Sequence, residues 1–276
     1  MNKTKRETLT KTIAIICGVI FVIGIWYLVA AILISKKNYG VPYPHETLLL
    51  ALKMLFSKDP EGLYSASSTW RSIGMSMLRL IIGYTISFVL GAALGILAGL
   101  FPRVGDFFKP SIGLFKTIPT VGLVMILFAL TLAIDHQLLG WIPIALVIVV
   151  AFPLLFEAFK AGIRNESHEI INSIKLDANI HSVRVIKAIL IPDAWPYIRL
   201  GMTQSLGLSF KVLIMSEVLT ASNQTEGIGT LISLARTTSY DGGLTEVPAY
   251  VLIALAIMFI IDIPYIIAKK YQDQKQ

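Results

Sequence analysis

Residues Thr12 to Ser35 form an unbroken run of 24 uncharged, mostly apolar side chains. A helix needs about 20 such residues to cross the ~30 Å hydrocarbon core of a bilayer. The run is too long for a signal-peptide core, and no small-residue cleavage site follows it, so it reads as a retained first span. The rest of the chain carries the same constraint. Of its 276 residues 55% are hydrophobic and 15% charged, and mean hydropathy is +0.73, against about 25% charged in a soluble domain. Only helices and closed barrels satisfy their backbone in lipid. The apolar runs are continuous rather than alternating, which selects an all-α polytopic membrane protein.

The pattern predicts about six spans, at roughly 12–35, 73–100, 110–133, 140–159, 198–220 and 247–268, with a polar head at 1–11 and a polar tail at 269–276. Between the first two spans, Pro42, Pro44 and Pro60 punctuate a helix over about Thr47 to Phe56. It is too short to cross and is placed on the outer surface. An even number of spans puts both termini on one side. That side carries fifteen Lys and Arg: four in the head, two in 101–109, six in 160–199 and three in the tail. The other side carries six, so the termini and the long 162–197 loop are assigned to the cytoplasm.

Small residues recur every fourth position along the second span: Gly83, Ser87, Gly91, Gly95 and Gly99. Lipid provides no hydrophobic drive between helices, so this stripe predicts a close helix–helix seam, either packing within the chain only or helping one subunit half move against another. Two charges, Lys211 and Glu217, fall well inside the fifth span. Six residues separate them, about 240° around a helix, so they do not share a face. Each is expected either to line or gate a pathway, or to snorkel or pair with another helix and so hold the bundle. Arg79 is placed near the outer end of its span, where it would snorkel to the surface. Pro119 interrupts the third span, and membrane helices use or tolerate such breaks. Asp262, late in the sixth span, is read as structural.

The 162–197 loop offers a helix, a turn at Asp177-Ala178-Asn179 and a second helix expected to stop at Pro192. Ile170, Ile171, Ile174 and Leu176 give it one apolar side. An amphipathic hairpin of this kind is a docking shape for a soluble partner.

At this loop the chain resembles the inner-membrane permeases of bacterial ATP-binding-cassette importers. Ile191-Pro192 stands at the Leu-Pro that ends their loop. The family spacing puts Asn179 at its glycine and Ser173-Ile174-Lys175 at its Glu-Ala-Ala, or one residue earlier, Ala178 and Asn172-Ser173-Ile174. Ser76-Met77-Leu78-Arg79 continuing to Gly83-Tyr84, Tyr43-Pro44, Lys116-Thr117-Ile118-Pro119, Phe210-Lys211-Val212, Ser216-Glu217-Val218 and Gly227-Ile228-Gly229 are similar to the nitrate, sulfonate and taurine branch. The resemblance implies a cytoplasmic coupling helix at Asn172, Ser173, Ile174, Lys175, Leu176, Asp177, Ala178 and Asn179. It also implies separate ATPase subunits that bind ATP-Mg, a second permease copy in a homodimer, an extracytoplasmic substrate-binding protein and a bacterial inner-membrane location. Lys211, Glu217 and Pro119 become candidates for the translocation pathway, and the cargo a small anion or organic solute.

The sequence contains no Gly-x-x-x-x-Gly-Lys-Ser/Thr loop, so the chain has no phosphate cradle of that type. The four histidines, His45, His136, His168 and His181, are dispersed, and no nucleophile–base pair or metal-ligand spacing stands out. No catalytic role, metal or bound cofactor is expected. The single cysteine, Cys17, allows no internal disulfide. The basic pI of 9.4 reflects loop charges rather than a nucleic-acid partner. Two other function classes remain open: a stand-alone secondary transporter coupling ions through Lys211, Glu217 and Asp262, and a membrane scaffold whose loop recruits a soluble protein.

Overall fold

The structure, a computed structural model, describes residues 3–36, 41–57, 65–164, 182–222, 225–238 and 246–273, and every element among them is helical. The helices are α1 (Lys3–Ser35), α2 (Pro44–Phe56), α3 (Ala66–Leu100), α4 (Pro102–Thr117), α5 (Thr120–Ile134), α6 (Ile142–Arg164), α7 (Ile191–Leu219), α8 (Ile228–Thr238) and α9 (Glu246–Asp273). Among the described residues, Thr12–Ser35, Ala66–Leu100, Leu138–Arg164 and Glu246–Ile263 are long and apolar enough to cross a membrane. The pair α4 and α5 adds a fifth crossing if taken as one span. α7 is long enough at 29 residues, but Asp193, Arg199, Lys211 and Glu217 dilute its hydropathy.

Contacts divide the chain into two compact units, one of Met1–Trp70 with Leu231–Ala256 and one of Arg71–Thr230 with Ile257–Gln276. In the first unit α1 is exposed along most of its apolar length, as suits a lipid-facing helix. Its C-terminal end is tied to α2. Trp26 Nε1 donates to the Pro42 carbonyl at 3.1 Å, and Tyr27 Oη lies 2.9 Å from His45 Nδ1. The start of α2 is set by Pro44 in its first turn and by Glu46, whose carboxylate accepts the Tyr43 N–H at 3.1 Å. α2 buries Thr47, Ala51 and Met54, and leaves Leu48, Leu49, Leu52 and Phe56 exposed.

The second unit is organised by the small-residue stripe of α3, which lies against α6. A Cβ built on Gly83 would come within 2.8 Å of Val147, on Gly91 within 2.7 Å of Leu155, on Gly95 within 2.8 Å of Phe159 and on Gly99 within 2.6 Å of Ile163. Each glycine therefore meets the residue sixty-four positions later. A constant offset means that α3 and α6 run parallel, with every fourth residue of one stacked on every fourth of the other. Ser87, the polar member, donates its hydroxyl to the Gly83 carbonyl of its own helix at 2.7 Å, so the seam holds no unpaired hydroxyl there.

Parallel neighbours require the chain between them to cross back, and only α4, α5 and the 3-10 turn His136–Trp141 lie between. The return is not the single straight span expected at 110–133. α4 and α5 are bent by 89° at Ile118-Pro119. Pro119 has no N–H for the Phe115 carbonyl, and it holds Ile118 in extended backbone (φ −63°, ψ 124°).

α7 runs antiparallel to α6: Gly162 meets Ala194 near its start, and Gly201 meets Ala158 further along. The helix expected to stop at Pro192 does not stop. A helical turn at Val183–Val185 passes through a π-helical turn, Ile186–Leu190, directly into α7. There the Ile191 N–H bonds the Ile186 carbonyl five residues back, a wider register that absorbs the N–H missing at Pro192. Gly91→Leu should force the α3–α6 seam apart and destabilise the protein by about 1–3 kcal/mol. This would be read as a lower unfolding midpoint in detergent. Gly113→Leu, at a site with nothing within 4 Å of a built Cβ, should leave the midpoint nearly unchanged.

Candidate functional site

Ser76 and Arg79 stand three residues apart on one side of α3, and both are buried. Because α7 is antiparallel to α3, its C-terminal turn brings Glu217 to their level. Arg79 Nη1 donates to Glu217 Oε1 at 2.8 Å, with side-chain exposures of 7% and 1%. The Ser76 hydroxyl lies 3.0 and 2.8 Å from the two carboxylate oxygens and accepts the Ile228 N–H at 2.9 Å. The Gly229 N–H donates to Glu217 Oε2 at 3.1 Å. Arg79 Nη1 also donates to the Glu226 carbonyl. One carboxylate thus gathers a guanidinium, a hydroxyl and an amide from the start of α8, where helix N–H groups otherwise lack partners.

The backbone approaches this closely because Gly227 and Gly229 have no side chains. A Cβ on Gly227 would fall 2.5 Å from Glu217 Cδ, and one on Gly229 would fall 2.5 Å from Glu217 Cβ. The clamp is capped at its rim by Arg71 and Glu226, paired at 2.8 Å and much more exposed. Beside it, a recess is lined by Arg79, Gly140, Pro143, Glu217, Thr220 and Thr230. Arg79, expected to snorkel, is instead drawn inward, because a buried carboxylate stabilises its charge more than partial hydration at the surface would.

Glu217 therefore meets the second of the two expectations for it, a pairing across helices. Lys211 is placed differently. It is exposed on the opposite side of α7, and no carboxylate among the described residues pairs with it. Pro119 is exposed at the bend between α4 and α5. Three residues before it, Lys116 pairs with Glu157 of α6, joining the bend to the seam helix. Asn172, Ser173, Ile174, Lys175, Leu176, Asp177, Ala178 and Asn179 lie outside the described residues. Among the described residues no group of three His, Cys, Asp or Glu side chains could hold a metal ion.

A sequence model of the family described as "Binding-protein-dependent transport system inner membrane component" matches residues 91–276. The chain belongs to that family. It is the multi-pass inner-membrane permease component of a binding-protein-dependent ABC transporter, a non-catalytic subunit whose family implies ATPase and binding-protein partners. The permease is 25% identical to a Bacillus subtilis protein named SsuC for aliphatic sulfonates transport, over 78% of this chain and 71% of that one. It is 22% identical to the taurine transport system permease protein TauC of Escherichia coli, over 83% and 79%. It is 23% identical to the nitrate import permease protein NrtB of Leptolyngbya laminosa, over 84% and 77%.

Sequence reasoning missed the clamp as a unit. The available signal was a pair of opposite charges, Arg79 as the one charge of its predicted span and Glu217 as the one acid of its own. In Glu217→Gln the permease should lose about 3–5 kcal/mol, because the Arg79 charge stays buried without its counter-charge. Thermal unfolding in detergent measures this. The double variant Arg79→Met/Glu217→Met should recover much of the loss, since it leaves no orphaned charge.

Proposed function

We propose that this permease forms the translocation pathway of an ATP-driven importer and is driven through the segment between α6 and α7. The observation that carries the reading is the family match across residues 91–276, which spans both helices and the segment joining them. The geometry gives it mechanical sense. α6 and α7 form an antiparallel pair, so the end of α6 and the start of α7 lie together, opposite the Glu217 clamp. Residues 191 to 217 rise about 39 Å at 1.5 Å per residue. A displacement at residues 172–179 therefore acts on the same helix that carries the clamp.

In this reading six crossings place both termini in the cytoplasm, and two copies of the chain enclose the path. Asn172, Ser173, Ile174, Lys175, Leu176, Asp177, Ala178 and Asn179 seat against a partner ATPase that holds ATP-Mg. ATP binding shifts the bundle between outward- and inward-facing states only if the ATPase grips the two states with different free energies. A binding protein on the outer face delivers the cargo. The names of the relatives favour small anions or small organic solutes.

Deleting residues 172–182 should leave the permease in the membrane yet abolish vanadate-sensitive, ATP-dependent uptake of nitrate, taurine or ethanesulfonate in vesicles holding the full complex. Uptake by the deletion variant at the parental rate would refute the coupling assignment.

A further inference from the structure

α7 has two sharply different sides. Ala194, Ile198, Gly201, Ser205, Ser209, Val212 and Ser216 are buried against the bundle, while Tyr197, Leu200, Gln204, Leu208 and Lys211 are exposed. Their spacing of three and four residues puts the exposed set on one stripe. Gln204 and Lys211 are seven residues apart, nearly two turns, so they share an azimuth about 10 Å apart along the axis. Both lie within the bundle's depth. Gln204 adjoins Ser205, which meets Tyr84 of α3 at 3.0 Å, and Lys211 stands six residues before the Glu217 clamp.

An ammonium at this depth is costly against lipid and belongs where water or an opposite charge reaches it. Arg79, another deep cation of this unit, is neutralised by Glu217, and Lys116 is held by Glu157. Among the described residues Lys211 has no such partner. Taking the importer reading above as its basis, we infer that the Gln204–Lys211 stripe is an anion station in the translocation path, selecting small oxyanions by charge and amide hydrogen bonding. Lysine suits this role because its ammonium is a compact charge on a flexible stem, able to follow planar or tetrahedral oxyanions alike. The Gln204 amide supplies N–H donors to the same ligand. Leu200 and Leu208 flank the pair with apolar surface that accepts an alkyl portion and thins the water around the charge. The clamp lies on the outer side of this station, so an anion held at Lys211 has already passed it.

The test uses the full complex in right-side-out membrane vesicles. Cys17 is the only cysteine, so Cys17→Ser gives a background in which Gln204→Cys is the sole thiol of the permease. Its rates of modification are measured with an anionic sulfonatoethyl and a cationic trimethylammonioethyl methanethiosulfonate, each normalised to its rate with a free thiol in water. With Lys211 present the anionic reagent should be favoured about tenfold, the combined effect of one charge on reagents of opposite sign. Lys211→Met should bring the ratio close to one, Lys211→Arg should preserve it, and added nitrate should slow the reaction only while the cation remains.

No reaction with either reagent would show the stripe covered by lipid or by a second copy and overturn the inference. A ratio indifferent to Lys211→Met would do the same. ATP-dependent uptake persisting beside either result would leave the importer reading standing while removing the station. Loss of all ATP dependence in the Cys17→Ser parent, with Gln204 intact, beside a preserved charge preference would strike the importer reading instead.

Discussion

The contact between α3 and α6 sets the frame in which every other helix of its unit is placed. Lipid solvates apolar side chains as well as protein does, so two membrane helices stay together through close packing rather than through escape from water. Gly83, Gly91, Gly95 and Gly99 allow that approach, and the larger Val147, Leu155, Phe159 and Ile163 fill the space they leave. The fixed offset along the seam makes the two helices parallel. From this follow the return through α4 and α5 and the antiparallel course of α7. The bend at Pro119 is tolerated because the Lys116–Glu157 pair and the packing of Ile112 with Ala98 and Phe156 hold α4 beside the frame.

Electrostatics then divides α7 into regions with different tasks. Glu217 is fully enclosed and holds three chain segments together: Arg79 and Ser76 of α3 and Gly229 of α8 bond its carboxylate, and Ser76 in turn accepts the Ile228 N–H. Removing a partner from such a cluster leaves a desolvated charge, so the cluster favours one arrangement of α3, α7 and the start of α8. Lys211, less than two turns away, faces outward with no counter-charge among the described residues. Two ionisable residues of similar sequence depth thus sit in opposite settings, one compensated within the chain and one on its exposed stripe.

Much of this was legible in the sequence, and what was not has identifiable causes. Long apolar runs and the four-residue spacing of small residues are local signals, and they pointed to an all-helical polytopic chain with a seam on α3. The partner of that seam was not readable, because α6 presents ordinary large apolar residues there. The Arg79–Glu217 pair joins residues 138 positions apart, and nothing local distinguishes a charge that pairs inward from one that snorkels. Pro119 and Pro192 look alike in sequence, yet one breaks its helix and the other does not. The difference lies in the π-helical turn before Pro192, which supplies a wider bonding register. The residues assigned to ATPase coupling, 172–179, fall outside the described residues and rest on the resemblance alone.

The weak apolarity of α7 also bears on how the chain is made. A segment carrying Asp193, Arg199, Lys211 and Glu217 gains little by partitioning into the bilayer alone, whereas α3, synthesised earlier, is apolar enough to reside there unaided. Once α3 is in place it offers Glu217 a guanidinium and Tyr84 offers a hydroxyl to the middle of the arriving helix. The contacts with α3 thus compensate polar groups that α7 could not keep in lipid alone, so recognition by a neighbour supplements its own weak apolarity.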